Sequence, residues 1–237
     1  MRNGFSFGGK NSWDFTLRVE KLPRIGSPRR RVTTLTVPGR SGSLHIDEGV
    51  YESYQQPYEC YFHGKEPTAE MAHAIKQWLM SGSGPQKLMD AYDPKHYHMA
   101  YFIGPLDVDN ILNKYGRCVV TFEVDPRAYQ IGGTEPITFT SPNRLSNLTG
   151  YPAQPLIHLQ YSSEGELHIG DYTLTLYDTA AGELYIDCET MDAYKGTENL
   201  NRLIGCEEFP VLVPGNNEIS WTGGIQKVEI TPRWWVL

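Results

Sequence analysis

Three acidic residues, Asp187, Glu189 and Asp192, crowd the end of the stretch Leu184-Tyr185-Ile186-Asp187-Cys188-Glu189. In an extended strand Asp187 and Glu189 share one face, roughly 7 Å apart. Paired carboxylates near that spacing can hydrolyse glycosides or, with further oxygens, hold calcium. No partner residue marks either chemistry, and acidic residues run through this half of the chain, so a solvated hairpin tip is the expectation. His96-x-His98 puts two imidazoles on one strand face, as a zinc site needs, but a third ligand is not visible beside Asp93-Pro94. These are read as surface or turn histidines. Cys60, Cys118, Cys188 and Cys206 lie far apart in apolar surroundings with no C-x-x-C pair, and read as small buried hydrophobes. The chain contains no G-x-S-x-G, no phosphate-binding G-x-x-x-x-G-K-[ST] and no G-x-G-x-x-G between a strand and a helix. The expectation is a protein that is not an enzyme, with no catalytic residue, no metal and no cofactor.

The strongest charge feature is Arg24 followed by Arg29-Arg30-Arg31, in a segment stiffened by Pro23 and Pro28. Clustered arginines bind nucleic-acid phosphates, but residues 1–131 carry 16 basic against 14 acidic groups, only +2, and no nucleic-acid fold motif accompanies them. Arg24, Arg29, Arg30 and Arg31 are instead candidates for contact with an acidic subunit or partner surface, where a planar multi-donor head group is suited. The other half offers one such surface: residues 132–237 hold the remaining 5 basic and 14 acidic groups, −9.

The elements that position these residues are mostly strands. Aromatics make up 12% of the chain, with 15 Tyr, favouring β-structure. Trp13 to Glu20 alternates apolar and polar through eight positions, predicting a strand. Further strands are expected at 32–37, 50–54, 58–62, 99–103 and 117–124. One helix is expected from Pro67, with Met71, Ala74, Ile75, Trp78 and Leu79 on one stripe and Ser81-Gly82-Ser83-Gly84-Pro85 as its stop. The charge shift and Ile131-Gly132-Gly133-Thr134 suggest a boundary between domains 1–131 and 132–237. The second reads as an antiparallel sandwich of short strands, with Gly170-Asp171 as a two-residue turn. Glu218 to Trp221 and Ile225 to Thr231 are expected to pair as a terminal hairpin across Gly223-Gly224. Trp221, Trp234 and Trp235 are read as core and edge of this sandwich. No apolar run approaches the roughly 20 residues of a membrane span, and the opening residues lack a secretion signal, so the expectation is a soluble protein made in the cytoplasm.

Laid out in order, these segments resemble the distal tail proteins of long-tailed, non-contractile phages and prophages. The resemblance is carried by Phe5-Ser6-Phe7-Gly8-Gly9-Lys10-Asn11-Ser12-Trp13-Asp14-Phe15, by Val37-Pro38-Gly39-Arg40-Ser41-Gly42, and by the Trp78-Leu79 helix before Lys87-Leu88-Met89-Asp90. It continues in Phe122-Glu123-Val124-Asp125-Pro126-Arg127, Phe209-Pro210-Val211-Leu212-Val213-Pro214-Gly215-Asn216-Asn217 and Ile230-Thr231-Pro232-Arg233-Trp234-Trp235. It implies a mainly β fold: an N-terminal β-barrel-like domain with one amphipathic helix, then a galectin-like antiparallel β-sandwich. It also implies a virion tail-tip protein, a baseplate hub whose first domains form a hexameric ring. The implied partners are further copies of the chain, the tail tube protein and the tail-tip and receptor-binding proteins, with DNA only passing through the ring. The alternative is a carbohydrate-binding β-sandwich module engaging the host cell wall.

Overall fold

The computed structural model describes residues 3–24 and 26–237. It is mainly β, with one α-helix among the described residues. The chain divides into two compact units, the first running to Ala128 and the second spanning Tyr129–Val236. The division falls three residues before the glycine pair chosen from sequence, because Gly132 and Gly133 form a short 3-10 turn within the second unit.

In the first unit a curled sheet follows the order Lys10–Asn11, Phe5–Phe7, Gln86–Asp90, His96–Phe102, Tyr115–Gln130, Tyr54–His63, Leu17–Val19. The single helix, Thr68–Leu79, lays one stripe on the core. That stripe is Met71, Ala72, Ile75, Trp78 and Leu79; Ala74, expected inside, faces out, because a 100° step per residue pairs Ala72 with Met71, Ile75 and Leu79. Trp78 ties three segments together. Its indole N–H donates to the Phe7 carbonyl at 3.1 Å, and its ring stacks on Phe15 at 4.5 Å and on Phe5 at 5.8 Å.

The segment that carries Phe15 is where the sequence reading failed. Trp13 to Glu20 is not one strand: Ser12–Phe15 is a 3-10 turn and only Leu17–Val19 is extended. Asn11 and Asp14 cap the turn reciprocally, and Thr16 closes it with φ of 57°, so local hydrogen bonds override the alternation. Nor is 50–54 a strand, since one strand ends at Tyr51 and the next begins at Tyr54. The strand expected to stop at Asp125-Pro126 continues to Gln130.

In the second unit two long strands, Leu156–Ile169 and Gly215–Thr231, run antiparallel along their length. Ile157, Leu159, Leu167, Ile169, Ile219, Val228 and Ile230 from both ends of these strands enter one buried cluster, so the sheet folds over into two layers. The expected terminal hairpin does not form. Gly223 and Gly224 sit inside a single strand, opposite a second irregularity between Tyr161 and Gly165. A Cβ at Gly223 would lie 2.4 Å from the Glu164 carbonyl oxygen, and one at Gly224 2.4 Å from the Ser163 nitrogen. These glycines permit a close crossing at a bend, not a chain reversal. The Gly170-Asp171 turn is as expected, with Ile169 facing Tyr172.

Trp78→Ala is expected to cost about 3–5 kcal/mol, the range for removing a large buried aromatic. Urea unfolding measures it, and a loss below about 1 kcal/mol would mean the helix is not part of this core.

Candidate assembly surface

Residues Arg30–Thr36 and Ser43–Tyr51 form a separate two-stranded sheet, almost wholly exposed. The register places Thr33 opposite Ile46, Leu35 opposite Leu44, Thr34 opposite His45 and Thr36 opposite Ser43. Paired residues share a face and neighbours along a strand alternate. One face therefore carries Leu35, Leu44 and Ile46, which are 45%, 39% and 45% exposed. The other carries Thr34, Thr36, Ser43, His45 and Asp47 together with Val32, which is 40% exposed, and the Thr34 hydroxyl lies 3.1 Å from His45 Nδ1. Val37-Pro38-Gly39-Arg40-Ser41-Gly42 makes the tip, with Gly39 and Gly42 at φ of 79° and 83°. An isolated two-stranded hairpin is marginal in water, and one with an open apolar face gains most from being covered.

The four arginines singled out from sequence are not gathered into one patch. Arg30 opens the hairpin and is engaged within it, donating to Asp47 and, at 3.0 Å, to the Tyr51 hydroxyl. Arg29 and Arg31 are exposed on either side of it, and the Arg29 carbonyl accepts from the Glu52 N–H at 2.8 Å. Arg24 lies apart, its carbonyl accepting from Gln56 Nε2 at 2.9 Å and its residue lining a cavity with Tyr54 and Asp90. From Arg30 onward the expected loop is a paired strand.

The three carboxylates singled out from sequence are occupied. Asp187 is only 9% exposed, which overturns its reading as a solvated tip. The Arg233 guanidinium grips it with two 2.7 Å hydrogen bonds and reaches Glu189 at 3.4 Å. Burial pushes the Asp187 carboxyl up, but Arg233, helped by the N–H groups of Glu189 and Thr190, outweighs it and holds the group below its ordinary value. Arg233 itself has φ of 58°, and its N–H donates to the Gly133 carbonyl. Asp192 instead accepts from Asn201 Nδ2 at 3.1 Å. The sequence signal for this clamp was Arg233 beside the tryptophans, legible only once the last strand was known to pass Asp187.

His96 contacts Asp93 at 2.9 Å, whereas His98 is half-buried against Tyr54, not a surface residue. Among the described residues no group of three or more His, Cys, Asp or Glu is arranged to hold a metal. The four cysteines are free thiols there, and burial pushes Cys60, Cys118 and Cys188 up. Trp221, Trp234 and Trp235 pack against the sandwich core, and Trp235 stacks on Tyr151 at 4.4 Å. No described helix is long and apolar enough to cross a membrane.

A mainly β chain with one helix on a curled sheet, followed by a folded-over antiparallel sheet, defines the fold class. Among solved structures this fold is similar to the crystal structure of the SPP1 Dit (gp 19.1) protein, described as a paradigm of hub adsorption apparatus in Gram-positive infecting phages. The TM-score is 0.73 at 13% sequence identity, covering 99% of each chain. The sequence matches no protein-family profile and no curated protein.

Two outcomes follow, one in the acid range and one near neutral pH. A depressed carboxylate stabilises the fold above its unfolded pKa and loses that contribution as pH falls through the folded value. Glu229, bonded by Lys227, then His158 and Thr138, titrates at about 2 instead of 4.5. Glu229→Gln should therefore flatten the fall in stability between pH 4.5 and 2, measured by chemical unfolding across that window. Arg233→Ala, which leaves Asp187 buried and unpaired, should cost about 3–5 kcal/mol near neutral pH, and Asp187→Asn in the same background should recover part of it.

Proposed function

We propose that this chain is a structural hub of a phage tail tip, working by forming interfaces and not by catalysis. The observation that carries the reading is the fold likeness to SPP1 Dit over 99% of both chains. The occupied carboxylates agree with it, since Asp187 and Glu189 are held by Arg233 and have no free pair of lone carboxyls to offer. In this reading the first unit builds a ring, a homohexamer, joining tail tube to tip and receptor-binding proteins and leaving a passage for DNA. Rings need heterologous contacts that close. The exposed hairpin supplies a surface of the right kind, an apolar face from Leu35, Leu44 and Ile46 flanked by Arg29 and Arg31. The second unit, galectin-like in this reading, engages adsorption proteins, and the site of action is the virion tail tip after synthesis in the host cytoplasm.

Replacing Leu35, Leu44 and Ile46 together with Ser should leave the thermal midpoint of the monomer nearly unchanged, as is usual for surface changes, and abolish assembly. Arg29→Ser with Arg31→Ser should weaken assembly in a way that raised salt reproduces in the native chain. Light scattering with negative-stain imaging reads both. A native chain that stays monomeric with its partner tail proteins present, or apolar-face variants that assemble normally, would remove the proposal.

A second reading, a glycan-binding sandwich, is favoured by an open cleft of about 870 Å³ lined by Tyr172, Tyr177, Thr173, Thr175 and Glu208. Aromatic faces beside hydroxyl and carboxyl groups suit sugars. Cell-wall glycan retained by the native chain and released by Tyr177→Ala would establish it.

A further inference from the structure

The first unit contains a cavity that the hub reading does not use. Its volume is about 550 Å³, within the range of small-ligand sites. Its walls include Tyr54 and Tyr92, both half-buried, and at its side stands Asp90. The Asp90 carboxylate is held in a fixed orientation. Oδ1 accepts from the N–H groups of Tyr92 at 2.9 Å and Asp93 at 2.8 Å, and Oδ2 accepts from the Tyr58 hydroxyl at 3.0 Å. All three donors are neutral, and among the described residues no cation pairs with Asp90, although Arg24 lines the same cavity. Two oxygens that each accept one or two bonds keep lone-pair capacity for another donor.

His98 lines the same space. It has no hydrogen-bond partner at its buried Nδ1. Burial pulls its imidazole toward the neutral form, against the opposing backbone carbonyls of Asp125 and Arg127. A carboxylate without a counter-charge beside two tyrosine rings calls for a positively charged donor on an apolar stem.

We infer that this cavity binds an organic cation, an alkylammonium or guanidinium group of the kind that ends a lysine or arginine side chain. The inference is independent of the tail-hub reading and survives its failure. The carboxylate supplies the charge and the two half-buried rings the walls along which the stem lies. A neutral group of the same length would leave Asp90 without its partner.

The test uses the full chain and n-butylammonium, n-butylguanidinium, neutral n-pentanol and doubly blocked arginine as probes, followed through the amide resonances of Tyr92 and Asp93. Saturable shifts are expected with the cations, and binding of the alcohol should be at least roughly tenfold weaker, the ratio set by one unmade charged contact. Asp90→Asn, whose remaining carbonyl oxygen still accepts the two backbone N–H bonds, should weaken the cations by roughly tenfold or more at an unchanged thermal midpoint. Tyr92→Leu should weaken them several-fold, and it carries the test if the Asp90 variant does not fold. Blocked arginine binding as tightly as the alkyl cations would assign the site to a partner's side chain; weaker binding would assign it to a free amine. No saturable binding of any cation, equal binding of the alcohol, or cation binding indifferent to both variants would overturn the inference.

Discussion

The second unit depends on the antiparallel pairing of Leu156–Ile169 with Gly215–Thr231. Each strand is long enough to serve two layers, so a bend partway along turns one sheet into a sandwich. The bend needs backbones closer together than side chains allow, hence Gly165 facing Gly223, where a Cβ on either would strike carbonyl oxygen at 2.4 Å. An irregularity between Tyr161 and Gln160 also changes the phase of the inward residues, from Ile219 before the bend to Val228 and Ile230 after it. A one-residue shift in register turns a strand's apolar set over. Here that shift keeps both halves facing the same core.

The clamp on Asp187 is built on this frame. Arg233 follows directly after the end of the long strand, and Asp187 ends the strand that pairs with the beginning of Leu156–Ile169. Two strands that flank a common neighbour thus deliver opposite charges to one end of the sheet. The carboxylate is paired with a guanidinium and held below its ordinary pKa, so its oxygens are engaged within the fold. The same residues that suggested hydrolysis are part of the structure's own support.

The first unit shows the opposite arrangement. Its core is closed by Trp78 against Phe5 and Phe15, yet the hairpin of Arg30–Thr36 and Ser43–Tyr51 leaves Leu35, Leu44 and Ile46 uncovered. Apolar residues at that spacing gain nothing in a monomer. That exposed apolar face accords with the hub reading more directly than the arginines do.

Composition and periodicity were enough to establish a mainly β chain, one amphipathic helix near 67–80, the Gly170-Asp171 turn and the buried role of Trp78. These are local properties: side-chain period, turn chemistry and a helix stop are written in adjacent residues. Trp13 to Phe15 and Gly223-Gly224 misled because alternation and glycine pairs each fit two local structures: the Asn11–Asp14 capping box decides the first, and the distant Ser163 to Gly165 the second. The pairing of Asp187 with Arg233, the half-burial of His98 and the separation of Arg24 from Arg30 were likewise decided by tertiary structure alone. Each joins residues tens of positions apart through strand order, and strand order is set by which faces can be buried together, a property of the whole chain that no short window contains.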